Sequence, residues 1–390
     1  MKKPRVLVAQ PSVQPPGGGN GVAAWILHAL QDRAEVTLLT LEPFEATALN
    51  RFYGTDIDGA KVRALRAAPR IYPRVKQLGM PLTLLKSSLV LRELRAMSGD
   101  FDLVISPNNE ADLEKPGIQY IHFPTYIRPR PEVDQRAYHK KRLMNLYYGV
   151  CDRIAGVSRE GVMRNVSLVN SDWTGRLMSR WYDDAPTVTL YPPVAGDFPD
   201  VPWAERERAF VCIGRIAVEK NYERMFAILR GVRERFPEIR LHFVGTRGEP
   251  TYTERILRLI EAERAWVTLH ENIARSELVS LVARQRYGIH TMAEEHFGMG
   301  VAEMVRAGNI VWVPNGGGQV EILDREPALL FRRDDEAVDK ICRVLADPDE
   351  EARLRARLEP QRERFSEAAF VSRFLAIVDD FFAAHGARSG

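Results

Sequence analysis

The chain is poor in cysteine, with only Cys151, Cys212 and Cys342, far apart and without metal-ligand spacing. A disulfide framework and a zinc site are both disfavoured; the three thiols read as small buried hydrophobes. No apolar run approaches the roughly 18 residues that a membrane span needs, so a bilayer crossing is not expected. Charge of one sign is also lacking: a net +3 is too small to imply nucleic acid. Repeats and low-complexity tracts are absent. The opening MKKPRVLVAQPS has too short an apolar segment before Pro11 for a signal peptide and reads as a first buried strand, which gives a cytoplasmic address.

What is present is alternation. Short apolar runs trade with helical periods along 390 residues, enough for two domains of about 150 to 200 residues each. Strands are expected at RVLVAQ, EVTLLT, KVRAL, FDLVIS, IQYIHF and RIAGV, and helices over 21–31, 83–97, 134–149 and 171–182, the last capped by Ser171 or Asp172. Prolines 186, 192, 193, 199 and 202 then interrupt all periodicity, a linker signal. The pattern restarts with AFVCIG, RLHFVG, WVTLH, YGIHT, NIVWVP and ALLF. The fold class is therefore α/β: two Rossmann-like, doubly wound parallel-sheet domains, over 1–195 and 205–365. FSEAAFVSRFLAIVDDFFAAHG reads as one amphipathic helix, about 366–390, with Phe365, Phe370, Phe374, Ile377 and Phe381 near one face and the first domain as its packing partner.

Charge is unevenly spread. Residues 61–99 hold nine Lys or Arg against one acid, Glu93, a balance of +8, beside the apolar stripe of LGMPLTLLKSSLVLREL. Such a segment either touches an anionic membrane surface or is a helix whose stripe packs on a sheet.

Ligands of doubly wound sheets sit beyond the carboxyl ends of strands, so the loops there carry the chemistry. In AFVCIGRIAVEKN, Gly214 permits a turn, and Arg215 and Lys220 are cations that could hold a diphosphate, Arg by a fork of donors and Lys as a point charge. In PSVQPPGGGNGVAAW, Gly17, Gly18 and Gly19 precede a helix whose N–H groups could face an anion. A dinucleotide-binding dehydrogenase loop is disfavoured, because six residues separate strand from glycines and Val22 stands where the third glycine of G-x-G-x-x-G belongs.

The stretch EEHFGMGVAEMVRAG places Glu295 in a loop and Glu303 inside the following helix, which should run to Ala307 with Gly308 after it. Acids fill 52 of 390 positions, so the eight-residue spacing says little without this context. Carboxylates so placed do not flank one bond as in a glycosidase; they suit the ends of an elongated ligand, with the helix N-terminus between. A nucleoside diphosphate sugar has that layout. Gly316, Gly317 and Gly318 would add backbone donors if their strand neighbours YGIHT.

With those residues assembled, the chain resembles the retaining glycosyltransferases of family 4, which have the GT-B architecture, two such domains facing a cleft. GRIAVEKN is similar to that family's Arg and Lys diphosphate clamp, EHFGMGVAEMVRAG to its E-x7-E motif and PNGGGQVEIL to the glycine loop after it. IHFPT, VNSDWT, LYPP and EHFGMGVAEM together resemble the GDP-mannose-dependent α-1,2-mannosyltransferases that extend dolichol-linked oligosaccharide. The resemblance implies that Gly214, Arg215 and Lys220 hold the diphosphate, and that Glu303 binds ribose hydroxyls. Glu295 with His296, Phe297, Gly298 and Met299 would meet the transferred sugar, and Gly17 to Gly19 would shape the phosphate side or the acceptor entrance. His122 would lie near the reacting centre, with Tyr126 and Arg128 on the acceptor side; His122, Arg215, Lys220 and Glu295 form the catalytic set. The first glycine loop departs from the pattern, with Asn20 and Gly21 where a glutamate or glutamine is common.

The activity so implied is transfer of a hexose, mannose first, with retained configuration from a GDP-sugar, or else a UDP-sugar, to a saccharide, glycolipid or small-molecule acceptor. No cofactor and no metal is expected, since DID at 56–58 and DPD at 347–349 read as turn and capping residues. The alternatives are a nucleotide-sugar epimerase, which would turn over donor without acceptor, and a non-catalytic nucleotide-sugar binding protein.

Overall fold

The computed structural model describes residues 2–68, 70–77, 82–128 and 142–386. The chain divides into two compact units, with boundaries between Pro193 and Val194 and between Ser366 and Glu367, so the C-terminal segment returns to the first unit. Within 194–366 the proline-rich segment is tied in early: Val194 N donates to Phe365 O at 3.0 Å, and the Arg306 guanidinium donates to the Val194 carbonyl. The second unit therefore begins about ten residues before the expected 205.

The first domain has a parallel sheet of seven strands: β1 (Arg5–Ala9), β2 (Glu35–Thr40), β3 (Val62–Arg66), β4 (Leu103–Ser106), β5 (Ile118–Ile121), β6 (Val166–Val169) and β7 (Thr187–Thr189). Their order is β3-β2-β1-β4-β5-β6-β7. Every residue of β4 and β5 is buried, because a parallel sheet is covered by helices on both faces. The second domain repeats the plan with β8 (Glu207–Ile213), β9 (Arg240–Gly245), β10 (Val267–Glu271), β11 (Gln285–Ile289), β12 (Ile310–Pro314) and β13 (Leu330–Phe331), in the order β10-β9-β8-β11-β12-β13. Phe210, Tyr287 and Trp312 from its central strands pack with ring centres 5.2 to 6.0 Å apart. The three cysteines are free and buried.

Local chemistry sets most boundaries. The helix Asp172–Trp181 starts where Ser171 Oγ accepts the Thr174 amide at 3.1 Å, as the sequence suggested. Asp58 Oδ1 takes the Ala60 amide in a turn, and Asp347 caps the helix Pro348–Arg364 through the amides of Asp349 and Glu350. The helix Thr83–Met97 spends its apolar stripe, Leu89, Val90, Leu91 and Leu94, on the core of the first domain. Among the described residues no helix is long and apolar enough to cross a membrane.

Three expectations are corrected. RIAGV is no strand: Arg153 to Ala155 end the helix Arg142–Ala155, and Gly156, at φ +61°, stops it. Residues 134–141 of the expected helix lie outside the described residues. The strands in that region are β6 and β7, where the sequence reading placed none, and they are only four and three residues long. Phe365 is not part of the last helix, which spans Glu367–His385; it follows the helix Pro348–Arg364 and packs on Phe297 with ring centres 5.7 Å apart. The last helix buries Phe370, Phe374, Ile377 and Phe381, meets the helix Gly18–Leu30, and places Asp379 3.3 Å from Arg33.

Candidate active site

Each sheet reverses its strand order once, between β1 and β4 in the first domain and between β8 and β11 in the second. In open α/β sheets the loops leaving the carboxyl ends of strands at that point form the ligand crevice. In the second domain those loops contain Gly214, Arg215 and Lys220 after β8, and His290 to Gly298 after β11. The sequence-selected residues of this domain thus arise at the switch point.

The helix Met299–Arg306 brings them together. A Cβ on Gly300 would stand 2.7 Å from the Ile213 carbonyl, so only glycine lets the first turn lie against the end of β8. Gly298 is its N-cap, with no side-chain cap and no acid in the first turn. The N–H groups of that turn have no intrahelical acceptor and, with the helix dipole, face an anion favourably. The glycine loop after β12 supports the site from below: Gly318 N donates to the Glu295 carbonyl at 2.7 Å.

Lys220 and Glu295 form an ion pair, their side chains 19% and 17% exposed. His290, which is buried, lies with Nε2 3.2 Å from the same Glu295 oxygen. Burial opposes the Glu295 charge, but the His290 hydrogen bond and the Lys220 cation outweigh it and hold the carboxyl far below its ordinary range. For His290, burial comes first and Lys220 adds to it, so the imidazole is held below its ordinary value. We therefore take His290 as neutral, its proton on Nε2 donated to the carboxylate; a charged imidazole beside Lys220 would cost far more in this buried setting. Thr291 Oγ donates to the carbonyls of Lys220 and Asn221 at 2.8 and 3.0 Å, which fixes the turn that presents the lysine.

Arg215 is mostly exposed and paired with Glu219 at 3.1 Å, a link that such exposure makes weak and easily exchanged. Glu303 is buried and paired with Arg275, whose guanidinium also donates to the Ala195 carbonyl. Each of the two glutamates placed at the ends of the expected ligand thus already holds a cation. Phe297 is buried, whereas His296 and Met299 are half-buried at the helix start.

The first domain assembles the other expected group. The helix Gly18–Leu30 begins at Gly17, again without side-chain cap or first-turn acid. A Cβ on Gly19 would reach His122 Nε2 at 3.2 Å, so the glycine loop and the histidine after β5 are neighbours. His122 Nε2 lies 3.0 Å from the Pro107 carbonyl, its amide donates to Asn109 Oδ1 at 2.8 Å, and its carbonyl accepts from Asn170 Nδ2 at 3.0 Å. Asn20, the departure from the resembled pattern, ties the loop: Nδ2 donates to the Gln14 carbonyl at 2.7 Å, and Oδ1 accepts from Gln10 Nε2 at 3.0 Å. Tyr126 and Arg128 are spent on the fold. Burial raises the Tyr126 phenol pKa, and its hydroxyl shares a hydrogen bond with Ser88. Arg128 donates to the Thr125 and Ile127 carbonyls, pairs with Asp152 at 3.3 Å and lies over the Tyr148 ring. Their acceptor-side placement gains nothing from this geometry.

The sequence reading missed His290, Arg275, Asn109 and Asn170. His290 had a signal, a histidine at the end of the YGIHT strand five residues before Glu295; Arg275 and Asn109 are visible only through tertiary contacts.

Residues 196–368 match the family model for glycosyl transferases group 1. The second domain is a glycosyl transferase group 1 domain. Relatives agree in kind. The human GDP-Man:Man(3)GlcNAc(2)-PP-Dol alpha-1,2-mannosyltransferase is 28% identical over 259 residues, 61% of this chain and 52% of that protein. Its mouse counterpart is 24% identical over 295 residues, 67% of this chain and 60% of its own length. The chain thus spans little more than half the length of these curated relatives. Among solved structures, sucrose-phosphate synthase from Thermosynechococcus elongatus superposes with a TM-score of 0.69 at 16% identity, over 98% of this chain and all of that one. Anabaena HepE in complex with UDP and glucose gives 0.65 at 14% identity, over 97% of this chain and 100% of its own. These neighbours share the GT-B fold of two parallel-sheet α/β domains, of which the glycosyl transferase group 1 domain is the second.

Proposed function

We propose that the chain is a retaining glycosyltransferase that moves a hexose, mannose first, from a nucleoside diphosphate carrier, GDP before UDP, to a saccharide, glycolipid or small-molecule acceptor. One observation carries this reading: at the switch point of a glycosyl transferase group 1 domain, the Lys220–Glu295–His290 cluster stands beside a helix N-terminus left open by glycine. The names of the relatives favour mannose and a lipid-linked glycan acceptor.

The barrier of such a transfer lies in negative charge building on the departing diphosphate and positive charge on the sugar ring. Lys220, Arg215 once released from Glu219, and the amides from Met299 onward would stabilise the first charge, each such group contributing on the order of 3 kcal/mol. Glu295 would orient Lys220 and accept a sugar hydroxyl with its remaining lone pairs. Glu303, held by Arg275, would take the ribose hydroxyls. His122 belongs near the reacting centre in this reading. The basic residues of 61–99 would supply any contact with an anionic inner membrane surface.

The test is incubation with GDP-mannose, UDP-glucose and a panel of glycan and glycolipid acceptors, with the released nucleotide and the anomeric configuration of the product followed by NMR. An α-linked product from the α-linked donor supports the proposal. An inverted product, or donor conversion without acceptor, overturns it in favour of inversion or epimerisation.

A further inference from the structure

The second domain carries a further cavity, of about 470 Å³, lined by Arg206, Arg355, Arg362, Trp203, Asp200 and Glu359 among others. It lies at the far end of the helix Met299–Arg306 from the glycine N-cap, since Val305 and Gly308 also line it. Arg206 is 94% buried by its 6% relative exposure, yet among the described residues its guanidinium donates only to backbone carbonyls, Val201 at 2.9 Å and Ala307 at 2.8 Å. No carboxylate pairs with it among the described residues. Arg362 donates to the Arg306 carbonyl at 3.1 Å and is neutralised by Glu359 at 3.0 Å. Arg355, on the exposed side, has among the described residues only the Trp203 ring, 4.4 Å from its guanidinium carbon.

The Arg306 and Ala307 carbonyls explain why cations gather here: a helix C-terminus attracts them. They do not explain why three guanidinium groups share one cavity. Burial, then the charges of Arg362 and Arg355, depress the Arg206 pKa, so the arrangement costs energy as it stands. Glu359 pairs with Arg362, and although Asp200 also lines the cavity, no carboxylate forms an ion pair with Arg206 or Arg355 among the described residues. Guanidinium forks match phosphoryl oxygens in geometry and charge.

We propose that this cavity is a binding site for a small dissolved phosphate dianion, either inorganic phosphate or the phosphoryl group of a sugar monophosphate, held by Arg206 and Arg355. The site is separate from the donor site and does not depend on the function proposed above.

Trp203 provides a local reporter, because its indole N–H is fixed by Glu351 at 3.0 Å and its ring touches Arg355. In the full-length chain its N–H resonance, assigned with Trp203→Phe, is followed during titration with inorganic phosphate, with a hexose phosphate, and with sodium chloride at matched ionic strength. A saturable shift is expected for the phosphates and not for chloride. Arg355→Gln, at an exposed position that spares the carbonyl bonds, should weaken it about tenfold or more, the loss of one charge-assisted contact. Tighter binding of the hexose phosphate identifies a sugar monophosphate as occupant, and equal binding the free ion. A Trp203 resonance unmoved at millimolar phosphate, an equal response to chloride, or an unchanged titration in Arg355→Gln overturns the proposal.

Discussion

Replacing Lys220 with alanine separates the two tasks assigned to that side chain. Removing one partner of a buried pair costs about 3 to 5 kcal/mol, and of an exposed pair under about 1 kcal/mol. The Lys220–Glu295 pair, at 19% and 17% exposure, stands nearer the buried limit, but the His290 hydrogen bond survives the substitution. A loss of about 2 to 3 kcal/mol is expected, because Glu295 is left charged without its cation. For a domain of this size that lowers the melting temperature by about 4 to 12 °C. Transfer should suffer separately: losing one cation at the departing diphosphate should reduce kcat about 100-fold. The double variant Lys220→Ala, Glu295→Gln removes the stranded charge, so it should recover about half of the lost stability and none of the lost activity. Calorimetric melting and initial rates of nucleotide release measure both. Unchanged melting in the single variant, or a double variant no more stable than the single, refutes the ion-pair reasoning. A change in donor KM alone refutes the transition-state role.

Three further expectations follow from the same geometry. Arg215→Ala should lower kcat far more than it raises donor KM, while Glu303→Gln should mostly raise donor KM, about five- to tenfold for one hydrogen bond; equal effects on both constants in both variants would contradict the assigned roles. Gly300→Ala forces a Cβ to 2.7 Å from the Ile213 carbonyl and should cost about 1 to 3 kcal/mol by denaturant titration, with weakened donor binding; a neutral result would mean that the helix start need not touch β8. His290 is neutral when folded, with its pKa held below the ordinary value, so the unfolded chain takes up its proton first as pH falls. Its contribution is full above about pH 6.5 and is lost as pH drops toward the folded pKa. Denaturation midpoints of His290→Gln should therefore fall less between about pH 7 and pH 5 than those of the unsubstituted chain; parallel curves would refute a buried neutral imidazole.

Much of this site could be read before any coordinates, for physical reasons. Strands such as RLHFVG and NIVWVP are short, apolar-rich runs closed by glycine or proline, and both appear within a residue of their expected limits. The switch-point loops carry glycines for separate reasons, a close approach to the Ile213 carbonyl at Gly300 and a positive φ at Gly298, and such glycines are legible in sequence. The short strands β6 and β7, at the end of the sheet, hold too few residues to show a period, and the proline-rich segment concealed β7. RIAGV misled because its apolar residues belong to the end of an amphipathic helix. Pairing was the least legible feature: nothing local in the sequence announces that Glu303 is met by Arg275, 28 residues away, or that Lys220 and Glu295 neutralise each other across 75. Likewise, Arg128 looks like a free cation in sequence, yet two carbonyls, Asp152 and Tyr148 occupy it.

The central claim is that a nucleoside diphosphate sugar lies over the carboxyl ends of β8 and β11, and a crystal structure grown with GDP-mannose tests it most directly. The account expects the diphosphate between Lys220, Arg215 and the amides of Met299 and Gly300, the ribose at Glu303 and the sugar at Glu295. Nucleotide density anywhere else on the chain, with the Lys220–Glu295–His290 cluster untouched, would contradict it.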